Sequence, residues 1–239
     1  MTIQTRTVAY RDGDRLFEAY LCWNDATSVA RPGVLVAHAW RGRSAFEEAK
    51  ARQLAELGYV GFALDLFGKG VLGKSVEENR ALMKPFMDDR ALLQRRMQLA
   101  VSEIRSQEEV DETHIAAIGF CFGGRCVLDL ARTGADIDGV VSFHGLFTAP
   151  GNTAGNKISA RVLALHGWED PMATPEHLVA LGKELTKMGA DWQIHAYGNT
   201  MHAFTNPAAN DAGFGTVYQE DADRRSWRSM QAFLSEIFG

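Results

Sequence analysis

The sequence predicts an α/β protein with a doubly wound, mostly parallel sheet, helices on both faces and an antiparallel hairpin near its N-terminal end. Short, continuously apolar runs of strand length recur along the chain, as expected for strands buried on both faces of a parallel sheet. Segments with the apolar spacing of helices separate these runs. The 239 residues contain no linker-like, repetitive or low-complexity tract, so we expect a single domain over residues 1–239.

The first elements are a hairpin and two buried strands. Asp12-Gly13 stands between two strand-like runs, a pattern that is typical of an antiparallel hairpin. The apolar run Val34–Ala37 predicts the first buried strand. The stretch YVGFALDLF, residues 59–67, predicts the next one.

Capping boxes mark the first two helices, because a Ser followed three residues later by Glu satisfies free N–H groups at a helix start. The boxes pair Ser44 with Glu47 and Ser75 with Glu78. We expect the first helix to end at Gly58 and the second to be interrupted at Pro85. A third helix follows from about Asp88, with apolar residues at helical spacing: Leu93, Met97, Ala100 and Ile104.

Strands and helices alternate over the rest of the chain. The predicted strands are Ile115–Gly119, Val140–His144, Val162–His166 and Gln193–Tyr197. A helix should begin at Thr174-Pro175 and stop near Gly189, because proline fits the first helical turn and glycine the end. A closing helix carries Trp227, Met230, Leu234 and Ile237.

Charge and composition narrow the function classes. The net charge of −5 and the pI of about 5.8 give no basis for binding nucleic acid. No run approaches the roughly 18 apolar residues of a membrane span, and the first residues lack the apolar core of a signal peptide. Three cysteines without a pairing pattern favour free thiols in the cytoplasm. We expect a monomer or a homodimer that acts on a small molecule.

The segment GFCFGG, residues 119–124, is the strongest functional signal. It follows an apolar strand and opens a helix, the setting of a nucleophile elbow with Cys in place of Ser. Glycines let strand and helix pack closely, and the positive end of the helix favours a thiolate on Cys121. The N–H of Phe122 would then face a developing oxyanion. The alternative is that Cys121 is a small buried residue, the interpretation we favour for Cys22 and Cys126.

A nucleophile of this kind needs a base and an acid that orients the base. Asp170 follows an apolar strand in LALHGWEDP, and His202 follows another in YGNTMHAF, so both lie at the carboxyl edge of the sheet. The alternative for Asp170 is a turn ahead of Pro171. Further acid candidates are Glu169, Asp136, Asp138 and Asp191; His144 and His166 are interpreted as structural histidines. The histidines show no metal-binding spacing, so no metal site is expected.

Residues around these positions complete the predicted site. The loop HAWRG, residues 38–42, follows an early strand, and the N–H of Trp40 is the expected second oxyanion donor. Trp40, Trp168 and Phe204 flank the catalytic positions and could line an apolar substrate pocket. The alternative for these aromatic side chains is ordinary core packing.

Five segments in register resemble the dienelactone hydrolase family of α/β-hydrolases: VLVAHAWRG, ALDLFGKG, GFCFGG, HGWEDP and MHAF. The resemblance covers most of the chain and implies an α/β-hydrolase fold with a triad of Cys121, His202 and Asp170. It implies hydrolysis of an ester or lactone through a thioester, without a cofactor. Two positions depart from the family pattern: Ala39 stands where the family usually has Glu, and Asn206 where it tends to have Arg.

Two other functions remain as alternatives. Glutamine amidotransferases also use a cysteine elbow, but they usually carry a His-x-Glu pair that this chain lacks. The departures at Ala39 and Asn206 motivate a second alternative, a ligand-binding or sensing protein on a hydrolase fold that has lost its activity. All three triad positions are filled, which favours the enzyme.

Overall fold

The computed structural model describes residues 2–26 and 28–239, which fold into a mixed α/β architecture with a mostly parallel sheet and six helices. This confirms the predicted fold class. The chain divides into two compact units, Met1–Ile118 and Gly119–Gly239. The interpretation of residues 1–239 as one domain stays a prediction.

The first unit contains the predicted hairpin and its neighbours. Its strands are β1 (Ile3–Asp12), β2 (Arg15–Asn24), β3 (Arg31–Ala37), β4 (Val60–Ala63) and most of β5 (Val110–Phe120). They lie in the order β1-β2-β4-β3-β5; β1 and β2 pair antiparallel, and β3 runs parallel to β4. Asp12 pairs with Arg15, and Gly13 in the turn between them has a φ of +58°, a conformation that glycine adopts without a steric penalty.

The strand predicted over residues 59–67 is shorter than expected. β4 ends at Ala63, and the chain then turns around Asp65, which is 5% exposed. One oxygen of the Asp65 carboxylate accepts the N–H groups of Phe67 and Gly68, both at 2.9 Å. The buried carboxylate thus binds backbone groups that a neighbouring strand would otherwise bind. Strand β4 therefore ends before Asp65.

The helices of the first unit are α1 (Ala45–Glu56), α2 (Val76–Asp88) and α3 (Arg90–Arg105). The capping box of Ser44 and Glu47 is confirmed. The second box is only half formed: Ser75 accepts the N–H of Glu78, but the Glu78 carboxylate binds the N–H of Lys74 at 2.8 Å. The Glu78 carboxylate therefore binds the exposed N–H of Lys74, one residue before the N–H of Ser75 that a complete capping box would use.

The expected interruption at Pro85 is wrong. α2 continues through Pro85 to Asp88, and the Pro85 carbonyl accepts the N–H of Asp89 at 3.0 Å. Pro85 has no N–H and so removes one helical hydrogen bond, but its carbonyl still accepts one, and three more helical residues follow it. Asp89 then caps α3 through the N–H of Leu92 at 3.0 Å.

The second unit carries three parallel strands in the order β6-β7-β8: β6 (Gly139–Phe143), β7 (Arg161–Gly167) and β8 (Trp192–Tyr197). Its helices are α4 (Phe122–Arg132), α5 (Pro175–Lys187) and α6 (Glu220–Ile237). These elements match the predicted strands and helices within a few residues at each end. A short ribbon of β9 (Asn210–Asp211) and β10 (Thr216–Val217) was not expected.

A buried ion-pair cluster fixes α4 within the second unit. Every residue of α4 is buried, and Arg132 at its end is fully so. The Arg132 guanidinium binds Glu184 on α5 at 2.7 and 2.8 Å, Asp129 at 3.1 Å and the carbonyl of Phe147 at 2.8 Å. A buried charge needs partners of this kind, and the cluster locks α4 against α5.

Across the part of the chain that the structure describes, every helix is too short or too polar to cross a bilayer.

Candidate active site

Cys121 occupies a tight turn between β5 and α4. Its φ of +56° and ψ of −113° are strained for any residue other than glycine, and it sits at the N-cap position of α4 without capping the helix. The turn is tight because Gly119 lies against the backbone of Gly123: a Cβ on Gly119 would lie 2.1 Å from the carbonyl oxygen of Gly123. The side chain of Cys121 is therefore presented at the positive end of α4, partly exposed.

The backbone of Cys121 is held by the end of β6. Its N–H lies 3.0 Å from the carbonyl oxygen of Phe143 and 3.1 Å from Nδ1 of His144, and both groups can accept it. A strained turn persists only when its surroundings hold it in place. These two acceptors are part of what holds the cysteine.

Asp170 and His202 form a short hydrogen bond. Nδ1 of His202 lies 2.6 Å from Oδ2 of Asp170, and both side chains are almost completely buried. Oδ1 of Asp170 accepts the N–H groups of Met172 at 2.8 Å and Ala173 at 3.3 Å. One oxygen of Asp170 therefore forms the turn that the alternative interpretation expected, and the other contacts the ring of His202; the catalytic role of Asp170 stays a prediction.

The backbone of His202 is fixed on both sides. Its N–H donates to the carbonyl of Gly215 at 3.0 Å, and its carbonyl accepts the N–H of Val217 at 3.1 Å. The next residue, Ala203, has a φ of +58°. The unexpected ribbon at the end of this loop thus holds the histidine where Asp170 can reach it.

Charge on neighbouring groups decides the protonation of His202. Burial is the largest influence and lowers its pKa, but negative charge on Cys121 and the hydrogen-bonded Asp170 carboxylate outweigh burial and raise the pKa to about 10. Nε2, the ring nitrogen away from Asp170, makes no well-aligned hydrogen bond with any residue that the structure describes. The raised pKa favours the protonated, imidazolium form of the His202 ring.

The sequence favoured a structural interpretation for His144, as it did for His166, although a position in the pocket or in a turn was also plausible. Besides accepting from Cys121, the ring of His144 has Nε2 2.8 Å from Oγ1 of Thr205 and packs edge-on against the ring of His202, with centroids 5.1 Å apart. Its φ is +37°. The available signal was its position directly after a strand of the sheet, which places it at the same edge as the other site residues.

His166 is a second histidine beside Asp170. Its Nε2 donates to the carbonyl of Ala173 at 2.7 Å and lies 3.5 Å from Oδ2 of Asp170. Burial lowers the pKa of His166, although the Asp170 charge opposes that shift. We therefore interpret it as a neutral side chain that packs beside Asp170 and against the ring of Phe147.

The neighbouring acid Glu169 has a different task. Its Oε2 accepts the N–H of Thr200 at 2.7 Å, which fixes the loop ahead of His202 rather than the ring. The two adjacent acids therefore differ in their contacts: Asp170 binds the ring of His202, whereas Glu169 binds the backbone of Thr200.

The remaining predicted site residues lie in varied surroundings. Phe122 is the first residue of α4 and is buried; Phe204 is fully buried and packs against His144 with ring centroids 5.1 Å apart. Trp168 is 48% exposed just after β7. Trp40 lies in the loop after β3, in the first unit. Their roles in binding and in the oxyanion hole stay predictions.

The two positions that depart from the family pattern have local partners. The N–H of Ala39 donates to Oε1 of Glu47 at 3.2 Å, and Glu47 is 2% exposed. Asn206 accepts the N–H of Ala208 at 3.0 Å within its own loop. Each position therefore serves the conformation of its own loop.

Metal-binding groups do not gather in residues 2–26 and 28–239: no three His, Cys, Asp or Glu side chains come together as a metal site needs. Two shallow clefts open in the first unit, and neither includes Cys121, Asp170 or His202. The contact between Asp170 and His202, rather than the shape of a cleft, marks the candidate site.

Comparison with known proteins gives a consistent result. The model of the dienelactone hydrolase family matches residues 17–238. A solved structure named m3DLH is 38% identical, with a TM-score of 0.94 and 99% of both chains covered. A dienelactone hydrolase-like promiscuous phosphotriesterase from metagenomic libraries is 36% identical, again with a TM-score of 0.94 and 99% of both chains covered. "Uncharacterized protein K02A2.1" of Caenorhabditis elegans is 32% identical over 154 residues, 63% of this chain and 98% of that protein.

Proposed function

The chain belongs to the dienelactone hydrolase family and is a hydrolase acting on esters or lactones, and we propose that Cys121 is its nucleophile, with His202 as base and Asp170 as orienting acid. The observation that carries this proposal is the 2.6 Å bond between Nδ1 of His202 and Asp170, with Nε2 left to act on the cysteine. The raised pKa of His202 supports a resting thiolate–imidazolium pair.

In the first half of the reaction, the Cys121 thiolate attacks the carbonyl carbon of the substrate and an oxyanion forms. The tetrahedral intermediate collapses by breaking the carbon–oxygen bond to the leaving group. His202 gives its Nε2 proton to that departing oxygen. The products of this half are the alcohol or enol and a thioester on Cys121.

In the second half, neutral His202 takes a proton from water, and the resulting hydroxide attacks the thioester. Collapse of this second intermediate releases the carboxylic acid and returns the thiolate, while His202 keeps the proton. Asp170 holds the ring in one orientation throughout and stabilises its charged form. No cofactor takes part in this sequence.

The oxyanion needs backbone donors. Phe122, at the first position of α4, supplies one N–H at the positive end of the helix, and Trp40 is the proposed second donor. Losing one such donor typically lowers the rate by about 10² to 10³. Trp40, Trp168 and Phe204 are proposed to line the binding site for a small, partly apolar ester or lactone.

A lactone is a suitable substrate because its leaving oxygen stays tethered to the acyl group after the ring opens. The protein would act on such a small molecule as a monomer or homodimer. A cytoplasmic location is proposed from the three cysteines, none of which forms a disulfide among the described residues.

The test is hydrolysis of p-nitrophenyl acetate and of an enol lactone by the parent, Cys121→Ala and the matched control Cys126→Ala. Cys126 is buried five residues further along, in α4. We expect the parent and the control to turn over and Cys121→Ala to be inactive, and mass spectrometry of the parent to show a transient acyl adduct. Full activity of clean Cys121→Ala protein would refute the assignment.

A ligand-binding protein without activity is the alternative in a different class. It predicts tight binding of esters or acids by the parent, unchanged in Cys121→Ala, with no turnover over a broad ester panel. Turnover by the parent that is lost in Cys121→Ala would exclude this alternative.

A second activity is favoured by the phosphotriesterase at 36% identity. The proposed thiolate would attack phosphorus in a phosphate triester and displace one alkoxide or phenoxide, which His202 protonates. Water deprotonated by His202 would then break the sulfur–phosphorus bond, releasing the phosphate diester and the thiolate. Hydrolysis of diethyl 4-nitrophenyl phosphate, measured with the same variants, tests this activity.

A further inference from the structure

The ring of His144 connects the loop of the nucleophile to the loop of the base. On one side, Nδ1 is 3.1 Å from the backbone nitrogen of Cys121. On the other side, Nε2 is 2.8 Å from Oγ1 of Thr205, three residues beyond His202. One side chain therefore contacts both segments whose relative position decides whether Sγ and the base can exchange a proton.

The hydrogen bonds fix the form of the ring. A backbone N–H can only donate, so Nδ1 of His144 must carry a lone pair toward Cys121. The proton of the neutral ring then lies on Nε2, which donates to the hydroxyl of Thr205. A proton on Nδ1 would point at the N–H of Cys121, so the observed contact requires a neutral ring.

The surroundings of His144 agree with a neutral ring. Rings of Phe204, Phe120 and His202 surround it, with centroids 5.1, 6.2 and 5.1 Å away. His202 is the titratable group among them, and its positive charge disfavours a second charge on His144. The side chain is 2% exposed.

Backbone strain shows why such a connection is needed. Cys121 has a φ of +56° and His144 a φ of +37°. Strained residues of this kind persist only where neighbouring contacts hold them. The contact between the two residues restrains both, because the strained backbone of His144 places the ring that holds the strained backbone of Cys121.

We propose that His144 is a positioning residue: its neutral, Nε2-protonated ring sets the placement of the Cys121 thiolate relative to His202. This inference rests on the proposed function, since it concerns how the proposed nucleophile and base are aligned. His144 touches the backbone of the nucleophile and not the reacting atoms, so its removal changes rates through geometry.

The test uses variants that separate the two contacts. His144→Asn places an amide oxygen near the position of Nδ1 and tolerates a positive φ, whereas His144→Leu removes both contacts. Thr205→Val removes only the acceptor of the Nε2 proton. We measure kcat and KM with p-nitrophenyl acetate, the rate of Cys121 alkylation by iodoacetamide across a pH series, and melting temperature.

We expect His144→Leu to lower kcat about 10²-fold, the loss expected for a displacement of about 1 Å, with KM nearly unchanged. Alkylation of Cys121 at neutral pH should slow, and its pH profile should shift toward higher pH. His144→Asn should recover most of kcat and the parent pH profile. Thr205→Val should lower kcat in the parent but add nothing in the His144→Leu background, because both act through one connection.

Three results overturn the inference: an unchanged kcat in His144→Leu, equal losses in the Asn and Leu variants, or additive losses of Thr205→Val and His144→Leu. If His144→Leu does not fold, the Asn and Thr205→Val variants decide by kcat and alkylation profile alone. Cys121→Ala is assayed alongside. Activity in that variant would refute the proposed function, whereas its inactivity together with a fully active His144→Leu would refute only the positioning role.

Discussion

Replacing Asp170 with Asn gives the sharpest test of the site. The substitution keeps the shape of the side chain, and the amide oxygen can still accept the N–H groups of Met172 and Ala173 that Oδ1 binds now. It removes the negative charge 2.6 Å from Nδ1 of His202. The turn should therefore survive while the orientation of the base is lost.

The size of the effect has two parts. A buried hydrogen bond to a charged group contributes about 1.5–3 kcal/mol, and its loss should lower the pKa of His202 from about 10. In addition, the NH₂ group of the introduced amide can donate to Nδ1, which leaves the ring proton on Nε2 and prevents that nitrogen from accepting a proton. Together we expect kcat to fall about 10³- to 10⁴-fold, or about 4–5.5 kcal/mol.

The assay compares kcat and KM for p-nitrophenyl acetate in the parent, Asp170→Asn and the matched control Glu169→Gln. Glu169 is the adjacent acid, and a glutamine oxygen can still accept the N–H of Thr200. We expect the control to retain near-parent kcat. A parent-like kcat in Asp170→Asn, or an equal loss in Glu169→Gln, would mean that Asp170 does not orient the base.

Three further predictions follow from buried groups. Arg132→Met should lower the free energy of unfolding by about 3–5 kcal/mol in urea titrations, because it leaves the buried Asp129 and the partly buried Glu184 carboxylates without their cation; a loss below about 1 kcal/mol would contradict the ion-pair cluster. Iodoacetamide should label Cys121 but not Cys22 in the native protein at neutral pH, because burial raises the pKa of Cys22 to about 11; peptide mass spectrometry locates the label. Burial lowers the pKa of His166, so the unfolded chain binds the extra proton and stability should fall as pH drops below about 6.5. His166→Asn should flatten that fall by at most about 1.4 kcal/mol per pH unit in unfolding titrations, and an unchanged slope would contradict the assignment.

The order of strands and helices could be predicted because it depends on local patterns. The hairpin at Asp12-Gly13, the capping box at Ser44 and the helix that begins at Pro175 each rest on residues a few positions apart. The errors arose where a distant or competing partner decides. Examples are the Asp65 carboxylate that ends β4 and the helix that continues past Pro85.

The candidate site was predictable to the extent that each residue follows its own strand. Cys121, Asp170 and His202 were predicted in this way, and the structure brings Asp170 and His202 into contact. The contacts of His144 could not be predicted from the sequence, because they join it to residues 23 and 61 positions away. In a sequence, a histidine that follows a strand gives the same signal whether it only packs in the core or also positions a neighbouring residue.

The left-handed backbone around the site has a consequence for directed evolution. Cys121, His144 and Ala203 each hold a positive φ that costs a residue other than glycine about 1–3 kcal/mol. A library selected for heat resistance alone should therefore be enriched in glycine substitutions at Cys121 and His144, and such clones should lose hydrolysis because the side chain is lost with the strain. Ala203→Gly relaxes the same kind of strain while deleting only a methyl group. It is the substitution at which a gain in melting temperature and retained turnover should coincide.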